Sequence, residues 1–236
     1  MERRQGDPVE GWRVPPRPGP ETMEGAWARL ERLDPARHAP EIHAANRESD
    51  RIWDWLPYGP FDDEAGWRAW ADSVAGGEDP FFYAIRDRQT GRAGGVASFL
   101  RIVPDHGTIE IGHINLSPAL QQTRAATEAL CLMMRWAFEA GYRRIEWKCD
   151  ALNLPSRRAA QRLGLSYEGT FRQHLIVKGR NRDTAWFAAT DRDWPGLRSA
   201  FEAWLAPANF DADGRQRQAL STLTAPLLVA RDPALS

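Results

Sequence analysis

Residues 108–153 read TIEIGHINLSPALQQTRAATEALCLMMRWAFEAGYRRIEWKCDALN, a strand, a tight loop, a long helix and a second strand. The part able to do chemistry is the loop 117–124, which hands the first strand straight into a helix N-terminus. Unpaired backbone N–H groups at such a junction, together with the helix dipole, form a site for phosphate oxygens. The loop has no glycine, which phosphate-cradling loops usually carry. The strand before it bears two titratable residues, Glu110 and His113. A partly buried carboxylate can have its pKa raised toward a useful value, and histidine titrates near neutrality. His174, on a later strand, is a third candidate, although a lone histidine on a mixed strand is more often structural. No His/Cys cluster has metal-ligand spacing, so no metal is expected. G-x-S-x-G and P-loop patterns are absent too.

The elements that must position these residues belong to a chain of 236 residues, enough for one domain with extensions and a real core. Hydrophobic residues are 42% and charged ones 27%, the profile of a soluble globular protein rather than a disordered one. A net charge of −1 argues against a general nucleic-acid or membrane-surface binder. Cys131 and Cys149 fall in a predicted helix and strand and read as small buried hydrophobes, which fits a reducing compartment. Arg3-Arg4 is not followed by an apolar stretch, and no run approaches the ~20 apolar residues of a membrane helix. A cytoplasmic location is the default expectation.

In chain order, proline-rich residues 1–24 are expected to be a disordered or extended arm. A first strand follows in AWARLERL. Asp34-Pro35 opens a helix to about Glu48. DRIWDWLPYGPF is a short helix broken by Pro57 and Pro60, and another helix runs from about Asp62 to Val74, ended by Gly76-Gly77. Trp53, Trp55, Trp67 and Trp70 cluster here; Trp55 is read as part of a hydrophobic mini-core. FFYAIRD and RAGGVASFLRIV flank the hairpin signal RQTG, and TIEIGHINLS is the next strand. Ala126, Leu130, Met133 and Ala137 mark an amphipathic helix closed by Gly141. RIEWKCD alternates cleanly, with Ile145, Trp147 and Cys149 on one face. Asn153 caps a helix through Leu163. YEGTFRQHLIV and TAWFAAT are two strands joined by a charged loop, KGRNRD, and a last helix runs from about Trp194 to Leu205. This order predicts an α/β fold with helices on both faces of a mixed sheet. The helical crossover makes TIEIGHINLS and RIEWKCD parallel, leaving an opening beside the helix N-terminus where they splay.

LERLDPARHAPEIHAAN, EIGHINLSP, AATEAL, DALNLPSRRAAQRLGLSYEGTFR and KGRNRDTAWF, in that order, resemble the GNAT acetyltransferase superfamily in its RimJ/RimL-like branch. The resemblance implies a GNAT-like, mostly antiparallel central sheet in residues 25–194, flanked by the arm 1–24 and a C-terminal helix and tail, 195–236. It implies acetyl-CoA as co-substrate and acetyl transfer to a primary amine, on a small molecule or a protein N-terminus, by direct attack in a ternary complex. No nucleic acid or membrane partner is expected, and a homodimer is allowed for. The family loop is Q/R-x-x-G-x-G/A; here Gln121, Gln122, Thr123, Arg124, Ala125 and Ala126 stand there, with Arg124 in place of the central glycine. A guanidinium can pair with phosphate, and helix N–H groups bind anions whatever the side chain.

Further roles follow from the resemblance alone. Leu116 would offer a backbone N–H to the thioester carbonyl. Ser117 would lie beside the pantetheine arm, and Thr127 belongs to the same helix start. Asn153 would contact that arm, and the Ser156 hydroxyl would protonate the leaving thiolate. Glu110 is ranked first as general base. Trp53, Tyr58, His113, His174 and Asp183 would border the acceptor cleft. The rival expectation is a catalytically inactive GNAT-fold binding module that holds a ligand in a Trp-rich cleft.

Overall fold

The computed structural model describes residues 5–235; Met1 to Arg4, with the Arg3-Arg4 pair and the start of the expected arm, and Ser236 lie outside the described residues. The strands are β1 (Thr22–Glu24), β2 (Ala28–Arg32), β3 (Phe81–Asp87), β4 (Ala93–Val103), β5 (Thr108–Leu116), β6 (Arg144–Asp150), β7 (Ser166–Val177) and β8 (Arg180–Thr190). They form one sheet in the order β1-β2-β3-β4-β5-β6-β8-β7. Every pairing is antiparallel except β5 with β6. The helices are α1 (Pro35–Asn46), α2 (Glu64–Ala75), α3 (Arg124–Glu139), α4 (Leu154–Arg162), α5 (Trp194–Leu205) and α6 (Leu220–Thr224).

Strand alternation distributes the sheet between two cores. Phe82, Ala84 and Val96 face α1 and α2, whereas Phe81, Tyr83, Ile85 and Phe99 face the side of α3 and α5. Helices therefore cover both faces, the mixed and mostly antiparallel architecture expected from the sequence. None among the described residues is long and apolar enough to cross a membrane.

Four local expectations are corrected. The expected first strand starts late, because residues 25–27 turn around a buried carboxylate. Glu128 of α3 accepts hydrogen bonds from the backbone N–H groups of Ala26, Trp27 and Ala28 at 2.9, 2.6 and 2.7 Å. A Cβ on Gly25 would come within 2.2 Å of that carboxylate, so only glycine fits there. The extra strand β1 lies before this turn. The arm leading to it runs over the domain: Trp12 Nε1 donates to Gly141 O, and the hydroxyls of Tyr142 and Tyr83 donate to Pro16 O and Pro20 O.

KGRNRD is mostly strand. Lys178 and Gly179, both left-handed (φ 48° and 73°), make a tight turn, and β8 begins at Arg180. Successive left-handed residues match the twist of the flanking strands, so the loop needs no more chain. Trp55 is not core but stands at the surface, 36% exposed, because Trp53, Tyr58, Phe61, Trp67 and Trp70 fill the space beneath α1 and α2. Finally, α3 is not simply amphipathic: residues 125–134 are all buried. Its outer side is covered by α5 and the tail, as the stacking of Phe138 on Trp194 shows.

The tail returns to α4. Asp232, whose side chain is fully buried, pairs with Arg157 through two hydrogen bonds of 2.5 and 2.6 Å. Removing one member of a buried pair strands the other charge. Arg157 keeps a bond to Ala151 O, which softens the loss. Asp232→Ala is expected to cost about 3 kcal/mol, the lower end for such a pair, in denaturant unfolding at pH 7. An unchanged midpoint would show that the tail does not secure α4.

Candidate active site

The site begins where a strand pairing stops. β5 and β6 pair only at Thr108↔Arg144, Ile109↔Ile145 and Glu110↔Glu146. Beyond those pairs β5 stays with β4 to Leu116, and β6 stays with β8 to Asp150. The facing edges diverge into a wedge. A bulge helps to bend β5 away: His113 and Ile114 together oppose the single Ala97, and His113 takes φ 50°.

At the wide end of the wedge, Ser117 O accepts from the N–H groups of Leu120 and Gln121, closing a turn into α3. Gln121 Nε2 donates to Leu116 O, and Gln122 is exposed in the left-handed region (φ 59°). Thr123 is the N-cap; its hydroxyl accepts from Ala126 N at 3.0 Å and donates to Leu120 O, and Thr127 N bonds Thr123 O. The N–H groups of Arg124 and Ala125 have no acceptor among the described residues. The Ser117 hydroxyl is buried and unpartnered. A buried polar atom without a partner costs free energy unless something else satisfies it. This combination of a free hydroxyl and free helix N–H groups suits the amide-rich arm and phosphates of an acyl-CoA.

The opposite bank is α4. Asn153 Oδ1 accepts from Ser156 N, so Asn153 does serve as the N-cap. Trp147 Nε1, from β6, donates to Ser156 Oγ at 3.0 Å. The hydroxyl proton is left for another acceptor, and a sulfur already lies near. Burial pushes the Cys149 thiol up to about 11, while the Ser156 hydrogen bond pulls it the other way.

On the other face of the sheet, Glu110 is buried at the apex of the wedge. Its Oε2 receives Arg101 Nη1 at 2.7 Å and Lys148 Nζ at 2.8 Å. Lys148 also pairs with Glu146 and lies 4.0 Å over the Trp186 ring. Oε1 accepts no hydrogen bond among the described residues and sits beside Gly112. His174 Nδ1 is 3.0 Å from Thr184 Oγ1, and its ring packs against Phe171 and Trp186. A broad hollow of about 770 Å³ opens along residues 171–174.

The remaining expected residues separate. Trp53 and Tyr58 do not line an open Trp-rich cleft. They are packed among Phe61, Trp67 and Trp70, since such large rings gain most from full burial. Trp53 keeps one edge on a 260 Å³ cavity, and its carbonyl accepts from Lys178 Nζ at the β7–β8 turn. Burial raises the Tyr58 pKa. Asp183 is fastened to the β7 bulge, accepting from Gln173 N and Asn181 Nδ2, which lowers its pKa. Arg101, Lys148, Trp147 and Trp186 were not singled out for the site from the sequence. The alternation of RIEWKCD already put Lys148 on the face of Glu146, but not its reach to Glu110.

His113 stacks on Tyr58 at 5.6 Å and lies against Phe82 at 5.3 Å. Burial, then the charges of Arg101 and Arg182, lower its pKa from 6.5 to about 4. The unfolded chain therefore binds this proton at a pH where the folded one does not. The contribution is complete above pH 6.5 and is lost as pH falls toward 4. The protein is expected to be about 2 kcal/mol less stable at pH 5 than at pH 7 through this group. Urea unfolding of wild type and His113→Phe at both pH values checks it, an equal pH dependence in the two overturning the assignment.

The comparisons agree with this geometry. The family profile described as "Acetyltransferase (GNAT) domain" matches residues 17–166. A GCN5-related N-acetyltransferase from Brucella melitensis is 42% identical, with TM-score 0.89 over 92% of this chain and 100% of its own. A probable acetyltransferase of the GNAT family from Chromobacterium violaceum is 39% identical, with TM-score 0.77 over 83% of this chain and 98% of its own. The microcin C7 self-immunity acetyltransferase MccE, solved with acetyl-CoA and AMP, shares the fold at 19% identity and TM-score 0.63, over 70% of this chain and 93% of its own. No curated protein matches. With its wedge between two parallel strands, its capped helix at the mouth and these relatives, the chain belongs to the GNAT acetyltransferase family.

Proposed function

We propose that the chain is an N-acetyltransferase of the RimJ/RimL-like branch, taking acetyl from acetyl-CoA to a primary amine on a small molecule or a protein N-terminus. The observation that carries this reading is the parting of β5 from β6 beside the free N–H groups of Arg124 and Ala125, with Ser156 on the opposite bank. Acetyl-CoA supplies an activated thioester when bound. The edge of β5 from Ile114 to Ser117 would hold the pantetheine arm, Leu116 N–H would polarise the carbonyl, and residues 121–127 would receive the pyrophosphate. Asn153 has its Nδ2 to offer the same arm.

The amine would come from the face that carries Glu110, His174 and the hollow at residues 171–174. Oε2 of Glu110 is engaged by two cations, so Oε1 is the atom that would accept the amine proton, directly or through a water. Ser156 would give a proton to the departing thiolate and take one back from solvent, Trp147 fixing its oxygen while its hydroxyl turns from Cys149 to the CoA sulfur. The acyl group thus passes straight from sulfur to nitrogen, and no residue need be acylated. Trp53 and Tyr58 would shape the cleft from below rather than touch the amine. The rival reading, an inactive binding module, would show saturable ligand binding with no thiol release from acetyl-CoA for any amine or peptide.

Titration calorimetry with acetyl-CoA should give saturable binding, and an amine and peptide panel should reveal thiol release with at least one class. Absence of binding would end the proposal. Ser156→Ala is expected to lower kcat by about 10²-fold with CoA affinity retained. A rate equal to wild type would remove the acid role.

A further inference from the structure

Arg124, which stands where the family loop has a glycine, makes no hydrogen bond or ion pair among the described residues, yet its side chain is held. Its Cζ lies 4.1 Å from the centroid of the Trp27 ring and 4.1 Å from that of Phe210. Each ring thus packs directly against the guanidinium. A Cβ on Gly214 would come within 3.1 Å of Nη2, which places the segment after α5 against the same group.

Both rings are themselves anchored. Trp27 sits in the turn bound by Glu128. Phe210 bridges Gln216 and packs edge-on to Trp204, whose indole donates to Gln216 Oε1 at 2.8 Å. Arg217 N donates to Asn209 O, closing residues 209–217 into a loop. The loop's carboxylates do not neutralise Arg124. Asp211 accepts from the N–H groups of Asp213 and Arg215, and Asp213 pairs with the Arg215 side chain. Arg124 is thus a cation packed against two rings, its N–H donors without an acceptor among the described residues, at the first turn of the helix proposed to receive phosphate.

We propose that the segment 207–217 is part of the donor-binding apparatus and that Phe210 is a positioning residue, holding Arg124 for a phosphate of the bound CoA. The inference rests on the CoA-dependent reading above. Guanidinium groups pair with phosphate through parallel N–H donors, and one already ordered loses less freedom on binding. The lost glycine is then replaced by a charge, at the cost of needing two aromatic supports from opposite ends of the chain. Either the pyrophosphate or the 3′-phosphate could be the group bound.

The test is calorimetry on the full chain with CoA, dephospho-CoA and pantetheine, the last having no phosphate. Phe210→Ala and Arg124→Gln are each expected to weaken CoA binding about tenfold and to flatten its salt dependence, with pantetheine binding unchanged. Phe210→Tyr, which keeps the ring, should restore affinity. A loss that persists with dephospho-CoA assigns the pyrophosphate; one that vanishes assigns the 3′-phosphate. CoA binding equal to or tighter than wild type in both variants overturns the proposal, as does an equal loss for pantetheine. If Phe210→Ala does not fold, Arg124→Gln carries the comparison. Wild type that binds no CoA would instead bring down the donor reading itself.

Discussion

A backbone cannot lose its ladder inside a protein without finding other partners. That constraint governs this molecule from Glu110 onward, where β5 and β6 stop pairing while each keeps its other neighbour. The strands can part only because β4 and β8 hold them on the outside, and because a bulge at His113 takes up the bend. The wedge exposes strand edges at the centre of the sheet, where edges are otherwise absent. An extended ligand arm can add itself there as a strand would. The short turn into α3 then brings unspent N–H groups to the same mouth. Donor binding, as proposed, would therefore be a property of the topology before it is a property of any side chain.

The apex needs reinforcement, since a sheet that opens at one end will tend to unzip at the other. The charged side chains on one face supply it. Arg101 and Lys148 converge on Glu110, Lys148 continues to Glu146, and Arg144 joins Glu146 to Glu168. The chain of pairs runs from β4 through β5 and β6 and over β8 to β7, alongside the short stretch of parallel pairing. Isolated surface pairs contribute little, but Glu110 and Lys148 at the centre are buried and share partners with the more exposed Arg101 and Glu168 at the two ends, so the central charges depend on their neighbours. The same network puts a carboxylate with one free oxygen at the narrow end of the wedge. Under the proposed function, holding the sheet and accepting the amine proton would be two uses of one residue.

Much of this was legible in the sequence. RIEWKCD alternates as β6 does, FFYAIRD has the bounds of β3, and Asn153 and Gly141 mark helix ends where the sequence placed them. These are local signals, and local chemistry decides them. The crossover length alone foretold parallel β5 and β6. What could not be read was set by distant partners. Glu128 looks like one more helix glutamate until it meets the N–H groups of residues 26–28, across about a hundred positions of sequence. The burial of α3 on its outer side depends on α5 and the tail. Lys148 reaches Glu110 only because two strands separated by a helix lie side by side. Tyr58 and Trp53 had the composition of a ligand cleft and became core, since composition does not distinguish a ring facing a ligand from one facing another ring.

The two chain ends acquire a common meaning from α3. Its inner face rests on the sheet, and a helix whose residues 125–134 are all buried must be covered on the other side. The N-terminal region contributes β1 and the turn at residues 25–27, clasped by Glu128; the C-terminal region contributes α5 and the loop carrying Phe210. Both arrive within one turn of the helix start, since Arg124 and Glu128 are four residues apart and share a face. A helix N-terminus that would hold an anion, as proposed, has to resist the pull of its own ligand. Clamping that first turn from both ends of the chain provides the resistance. The extensions flanking the strand-helix-strand unit thus act on the place where the donor would bind, rather than decorating a finished domain.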